Sequence, residues 1–172
     1  IFCICVAGKT ADQISSSLER FFFGYEQFAS TPFQYLKYLI DNGELSANLK
    51  AYSLGQYKKL SRAFFEVCHK NLNLRTATIE ELEGIHGVGS KTSRFFVSRT
   101  RPNQKVAVLD THVLSWLRDQ GHAVPRSTPS KKQYEKIEKI FIQEAEKLKK
   151  DLCTLDIEIW ESRKRNLSLT NR

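Results

Sequence analysis

The stretch Ile85-His86-Gly87-Val88-Gly89-Ser90-Lys91-Thr92, answered downstream by Leu109-Asp110-Thr111-His112, decides how this chain is read. Two glycines in a three-residue turn permit left-handed backbone and leave neighbouring N–H groups uncovered, and a helix starting at Ser90 adds the partial positive charge of its N-terminus. Together these make a seat for a phosphate oxygen. Such a seat holds a polyanion by its backbone without reading bases. The carbonyls of the turn can also attract a monovalent cation that bridges to the phosphate. A Gly-x-Gly alone is equally a tight interhelical turn. Here it comes with helices on both sides, a lysine in the first turn of the second helix, and an aspartate at the start of the next.

Working outward, positive charge gathers at this stretch. Residues 1–89 carry nine basic and nine acidic side chains, whereas 90–128 carry seven basic (Lys91, Arg94, Arg99, Arg101, Lys105, Arg118, Arg126) against two acidic (Asp110, Asp119), and the remainder carries eleven against eight. The net charge is +8. A run of charge is most often a solvated face, but here its peak coincides with the phosphate-seating turn, which is where a polyanion such as a nucleic acid would sit.

At 172 residues, 41% of them apolar by type, the chain can build one substantial domain or two lobes sharing a cleft. No apolar run approaches the roughly 18 residues of a membrane span. Residues 1–7 are too short and wrongly flanked for a signal peptide. The expectation is a monomer in the cytoplasm, associated with the nucleoid, or in the nucleus. Methionine is absent and the chain begins at Ile1, so its natural start is expected upstream, with room for a preceding helix. Cys3, Cys5, Cys68 and Cys153 are scattered apart from one Cys-x-Cys and read as plain buried thiols. No zinc or iron–sulfur site is expected, and no cofactor.

Helical periodicity runs almost throughout, so the fold class is all-α. A helix is predicted over 10–23 with Ile14, Leu18, Phe21 and Phe22 inward and Gly24 as its stop. A second, over 32–39, starts at Ser30-Thr31-Pro32 and ends before Asn42-Gly43. A short helix covers 45–52, and a long one follows Ser53-Leu54-Gly55 to about 70, with Tyr57, Leu60, Phe64, Phe65 and Cys68 on one broad face. Thr78 and Glu81 have the order of a capping box, which starts a short helix at Ile79. The turn follows at once, and Ser90 can cap a helix to about 99, broken by Arg101-Pro102-Asn103. This makes a helix-hairpin-helix over about 79–100. Residues 106–109 form a strand-like apolar link, and Asp110 stands at an N-cap. After a loop over 121–129, helices are predicted over 130–150, with Tyr134, Ile137, Ile140, Phe141 and Leu148 inward, and over 154–163, with a frayed tail from Lys164.

The central motif resembles the signature of the helix-hairpin-helix-GPD superfamily of DNA glycosylases, which includes endonuclease III and the 8-oxoguanine DNA glycosylases. Residues 5–12 resemble the family's early segment, Gly55-Gln56-Tyr57 its Gly-x-Tyr helix start, and Leu155-Asp156-Ile157-Glu158-Ile159-Trp160 the C-terminal helix of the compact archaeal-type 8-oxoguanine enzymes. The resemblance implies one two-lobed glycosylase unit over 1–172, with a helical lobe over about 10–89 and a second lobe joining 1–9 to 106–172.

By the same resemblance Lys91 stands where bifunctional glycosylase/lyases carry their nucleophile, and Asp110 at the aspartate that stabilises charge on the sugar while capping its helix. An amine nucleophile must be neutral, a condition that burial or nearby positive charge favours. Gly87, Val88, Gly89, Ser90, Thr92 and Arg94 are expected on the DNA backbone. An extruded base needs a wedge and a pocket, for which Lys9, Phe141 and Trp160 are the candidates, while His112 reads as a packing or hydrogen-bonding residue of the motif. Lacking iron–sulfur cysteines, the chain departs from the usual endonuclease III subfamily and its oxidised-pyrimidine substrates; its compact length and the resemblance over 155–160 imply that it excises 8-oxoguanine from double-stranded DNA in base excision repair, with β-elimination from a lysine Schiff base. Continuing past Trp160, it departs from archaeal-type enzymes, which end on a short tail reaching the base. Two other readings stay open: excision of a different modified base, including one that marks foreign DNA, and a non-catalytic module that only binds duplex.

Overall fold

The computed structural model of the chain describes residues 1–70, 72–101 and 104–170. They are predominantly helical, and no strand occurs among them. The chain divides into two compact units, Ile1–Gly89 and Ser90–Arg172.

The first unit holds α1 (Phe2–Cys5), α2 (Ala11–Phe22), a 3-10 turn (Tyr25–Gln27), α3 (Pro32–Asp41), α4 (Leu45–Ala51), α5 (Tyr57–His69) and α6 (Ile79–Glu83). Each start follows local chemistry. Thr31 accepts the Gln34 N–H with Pro32 at the first helical position, where its missing N–H costs nothing. Thr78 and Glu81 complete the capping box, Thr78 N donating to Glu81 Oε2 at 2.7 Å and Glu81 N to Thr78 Oγ1 at 3.2 Å. Gly24 and Gly43 take the left-handed turns that end the helices before them. Helix α5 is the spine, packing against α1, α3 and α4 through Leu60, Ala63 and Phe64.

Within this unit α1 packs on α2 and α5, which ties residues 1–9 to the segment after them. Phe65 leaves the predicted inward face of α5: it is half exposed and stacks on His69 one turn later, at 4.2 Å. The cysteines also depart from expectation. All are free, only Cys5 is fully buried, and Cys3, Cys68 and Cys153 are partly exposed. Burial pushes the Cys5 thiol up to about 11.

The second unit holds α7 (Ser90–Thr100), α8 (Thr111–Asp119), α9 (Lys131–Lys147) and α10 (Leu152–Thr170). Its core gathers Leu109 with Val113, Leu114 and Leu117 of α8, Tyr134, Ile137 and Phe141 of α9, and Leu155 and Ile159 of α10. Leu148 is not part of it. As the residue that ends α9 it is about half exposed. Helix α10 passes Arg163, where the sequence reading ends it, and runs to Thr170, since no glycine or proline interrupts it. Of the proposed breaker after α7, Pro102 and Asn103 lie outside the described residues. No helix among the described residues is long and apolar enough to cross a membrane.

Candidate active site

The link at 104–110 leads to the site. Its residues belong to no helix or strand; Gln104, Val106 and Asp110 bond their amides locally, while those of Ala107 and Leu109 need other partners. Helix α9 supplies these: Glu138 Oε1 accepts Ala107 N at 2.8 Å, and the Tyr134 hydroxyl accepts Leu109 N at 2.8 Å while donating to Ala107 O at 3.0 Å. Burial raises the Tyr134 hydroxyl far above its usual range, so it remains a donor. Asp110 follows directly and caps α8, its Oδ1 accepting both His112 N and Val113 N at 2.8 Å. Its other oxygen, Oδ2, has no hydrogen bond among the described residues. One carboxylate therefore holds a helix and still presents an uncommitted anionic oxygen. His112 contributes its backbone N–H to this cap, in keeping with a motif role.

Lys91 lies in the first turn of α7, partly buried. A carboxylate that sequence reasoning did not single out ties it to Asp110. Asp156, on α10, is pushed up to about 6, first by burial and next by the negative charge of Asp110, while the positive charges of Arg99 and Lys91 act in the opposite direction. Arg99 donates to Asp156 Oδ2 at 3.2 Å and to Cys153 Sγ at 3.1 Å. Asp156 thus feels the charges of both Asp110 and Lys91. Trp160 follows it by four residues on the same side of α10 and is 39% exposed, leaving part of its ring open. The available signal was a carboxylate one helical turn before a tryptophan.

Two expected site residues are committed elsewhere. Arg94, expected on the DNA backbone, is buried, and its Nε lies 3.0 and 2.9 Å from the two oxygens of Glu138, with the guanidinium 4.5 Å above the Tyr134 ring. Three residues after Lys91, it turns into the core. Phe141, expected as a stacking platform, is also core, packed edge-on to Trp116 at 5.8 Å.

In the first unit the Gly-rich turn is held from α5. Glu66 Oε2 accepts His86 N at 2.8 Å, Lys70 Nζ donates to Gly84 O at 2.5 Å and to Glu66 at 3.1 Å, and Arg62 also pairs with Glu66. The His86 N–H is the first cause holding the Glu66 carboxyl down at about 2. Of the turn's carbonyls, Ile85 O takes the Val88 N–H and Gly84 O takes the Lys70 ammonium, so a cation of the protein's own already sits there. No hydrogen bond among the described residues uses the N–H of Gly87 or Gly89.

The two glycines differ. Gly87 has φ +78°, and a Cβ there would lie 2.5 Å from Lys59 Cε, so a side chain would strain the backbone and push Lys59 aside. Gly89 is outside the left-handed region, exposed, and has nothing within 4 Å of an added Cβ. Nothing among the described residues demands glycine at that position.

Lys9, expected as the gap-filling wedge, donates its amine to Leu54 O, and burial lowers its pKa. With Gln56 Nε2 on Ala7 O at 3.2 Å, it ties the N-terminal segment to the turn at 53–56, where Ser53, Gly55 and Gln56 all have left-handed backbone. A wedge role would require giving that bond up. Among the described residues no group of three or more His, Cys, Asp or Glu side chains could hold a metal ion.

Residues 1–150 match the family described as 8-oxoguanine DNA glycosylase. No solved structure matches the chain.

Proposed function

The chain belongs to the 8-oxoguanine DNA glycosylase family, and from that premise we propose that it is a bifunctional glycosylase and AP lyase that excises 8-oxoguanine in base excision repair. That it is a DNA glycosylase follows from the family; the base, the lyase step and the residues are our reading. The observation that carries the reading is Asp110, which spends Oδ1 on its helix and leaves Oδ2 free, in a neighbourhood whose other carboxyl senses both Asp110 and Lys91.

The neutral amine of Lys91 attacks C1′ of the damaged nucleotide. The N-glycosidic bond breaks, its electron pair leaves with the base, and the base gains a proton. Asp110 Oδ2 stabilises the positive charge that develops on the sugar as this bond lengthens. The amine then loses its excess proton, the sugar ring opens, and Lys91 is joined to C1′ as a Schiff base. That imine acidifies C2′, whose proton is removed as the 3′ phosphate leaves, and water hydrolyses the imine to free the lysine.

The open N–H groups of Gly87 and Gly89 donate to a phosphate of the duplex, with Val88, Ser90 and Thr92 along the same backbone; Arg94 has no part in this. Trp160, partly exposed, is the candidate for stacking on the extruded base.

The test uses duplexes carrying 8-oxoguanine, uracil, thymine glycol or an abasic site, with borohydride added during reaction. The 8-oxoguanine and abasic duplexes should give a covalent protein–DNA adduct, and Lys91→Ala should give none. No adduct from the unaltered chain, or an undiminished one from Lys91→Ala, refutes the proposed nucleophile. An adduct with a different lesion in place of 8-oxoguanine refutes the assigned base alone.

A further inference from the structure

Two side chains on α9 touch nothing in the chemistry above yet stand between its two principal residues. Tyr134 and Glu138 are one helical turn apart and both buried. Glu138 holds Arg94 with both oxygens and Ala107 N with one of them. Arg94 lies nearly one turn beyond Lys91 on α7, and its Nη1 lies 3.4 Å from the carbonyl of Ser90, the residue before Lys91. Tyr134 holds Ala107 and Leu109, and Asp110 comes next. The helix carrying Lys91 and the link delivering Asp110 are therefore fastened to the same two side chains.

We propose that Tyr134 and Glu138 are positioning residues that fix the Lys91 helix and the Asp110 link in register for the attack on C1′. This rests on the proposed roles of Lys91 and Asp110. Stability alone is a weak reason for such a network, because burying an ion pair costs desolvation that apolar packing of the same volume avoids. What charged and hydroxyl groups add over apolar ones is direction: each hydrogen bond sets the angle and depth of the segment it holds. Misplacing reacting groups by about 1 Å costs on the order of a hundredfold in rate, so a link freed at Leu109 should slow chemistry well before it disturbs binding.

The experiment uses the whole chain with an abasic-site duplex, which presents the aldehyde directly and so does not depend on which base is removed. Tyr134→Phe keeps the ring under Arg94 and loses the bond to Leu109. Glu138→Gln keeps an acceptor for Ala107 N and withdraws the charge from Arg94. Enzyme in excess, quenched with borohydride over time, gives the trapping rate, while fluorescence anisotropy gives duplex affinity and circular dichroism the fold. The expected result is a trapping rate lowered about tenfold or more, with affinity within about twofold of the unaltered chain.

A trapping rate equal to that of the unaltered chain overturns the proposal, as does a loss of rate matched by an equal loss of affinity. If one variant loses the circular-dichroism signal of the fold, the other is decisive; if both lose it, the network is structural and the proposal fails. An unaltered chain that gives no adduct refutes the Lys91 chemistry itself, whereas adducts undiminished in both variants refute only the positioning role.

Discussion

The turn at 84–89 and the link at 104–110 are both irregular segments held by two side chains four residues apart on a neighbouring helix. For the turn these are Glu66 and Lys70 of α5, both partly open to solvent. For the link they are Tyr134 and Glu138 of α9, both buried. Among the described residues, the N–H groups of Gly87 and Gly89 beside the exposed clamp have no hydrogen bond, whereas the buried clamp satisfies Ala107 and Leu109 and leaves one carboxylate oxygen open at the end of the link. An exposed, water-screened ion pair constrains weakly, which suits a surface that must adapt to a DNA backbone. A buried network in low dielectric tolerates little displacement, which suits a segment that must deliver Asp110 to one place.

The comparison breaks most visibly if each clamp is cut. Glu138→Ala leaves the Arg94 charge in the core without its carboxylate and should cost about 3–5 kcal/mol in denaturant unfolding. Glu66→Ala should cost clearly less in the same measurement, as expected for a partly exposed pair, while weakening affinity for undamaged duplex. Equal losses from the two substitutions would erase the distinction between them.

The two glycines sharpen it further. Gly87→Ala must adopt left-handed backbone and displace Lys59, at a cost of about 1–2 kcal/mol in thermal unfolding. Gly89→Ala should change stability by no more than about 0.5 kcal/mol but should lower duplex affinity several-fold, because the added methyl would occupy the space through which a phosphate approaches. If Gly89→Ala binds duplex as the unaltered chain does, the turn is not the phosphate grip.

The smallest effect is one of pH, and its sign differs between the units. Glu66 is held at about 2, so its contribution to stability is complete above the ordinary carboxylate value of 4.5 and is lost as pH falls towards 2. Asp156 is raised from 3.8 to about 6, so the folded chain holds its proton longer than the unfolded one, and stability falls as pH rises through that window. Melting temperature followed across pH 3–7 should show Asp156→Asn gaining on the unaltered chain above about pH 6 and converging with it near pH 4. Parallel curves would mean that Asp156 does not sit against Asp110 in a desolvated site.

Much of this was legible in the sequence because it is governed by local chemistry. The Thr78 capping box, Pro32 at a helix start, Asp110 at an N-cap and the Gly-rich turn each depend on neighbours within a few residues. The misreadings are of long-range contacts. Arg94 looked like one more cation in a basic stretch, and only its meeting with Glu138, 44 residues away, turns it inward. Phe65 fits the apolar period of α5 but is half exposed and stacks on His69 one turn along the same helix, which helical spacing alone does not reveal. Asp156 offered only its place one turn before Trp160, since its environment is made by Asp110, Arg99 and Lys91 from two other elements.

The central claim is that Lys91 is the nucleophile, and the most direct measurement locates the bond it forms. The unaltered chain is reacted with an 8-oxoguanine duplex, reduced with borohydride, digested with protease and nuclease, and its peptides are weighed by mass spectrometry. The account predicts the reduced sugar remnant on Lys91 and on no other lysine. The remnant on Lys9 or any other amine, or its absence while the base is still released, would contradict it.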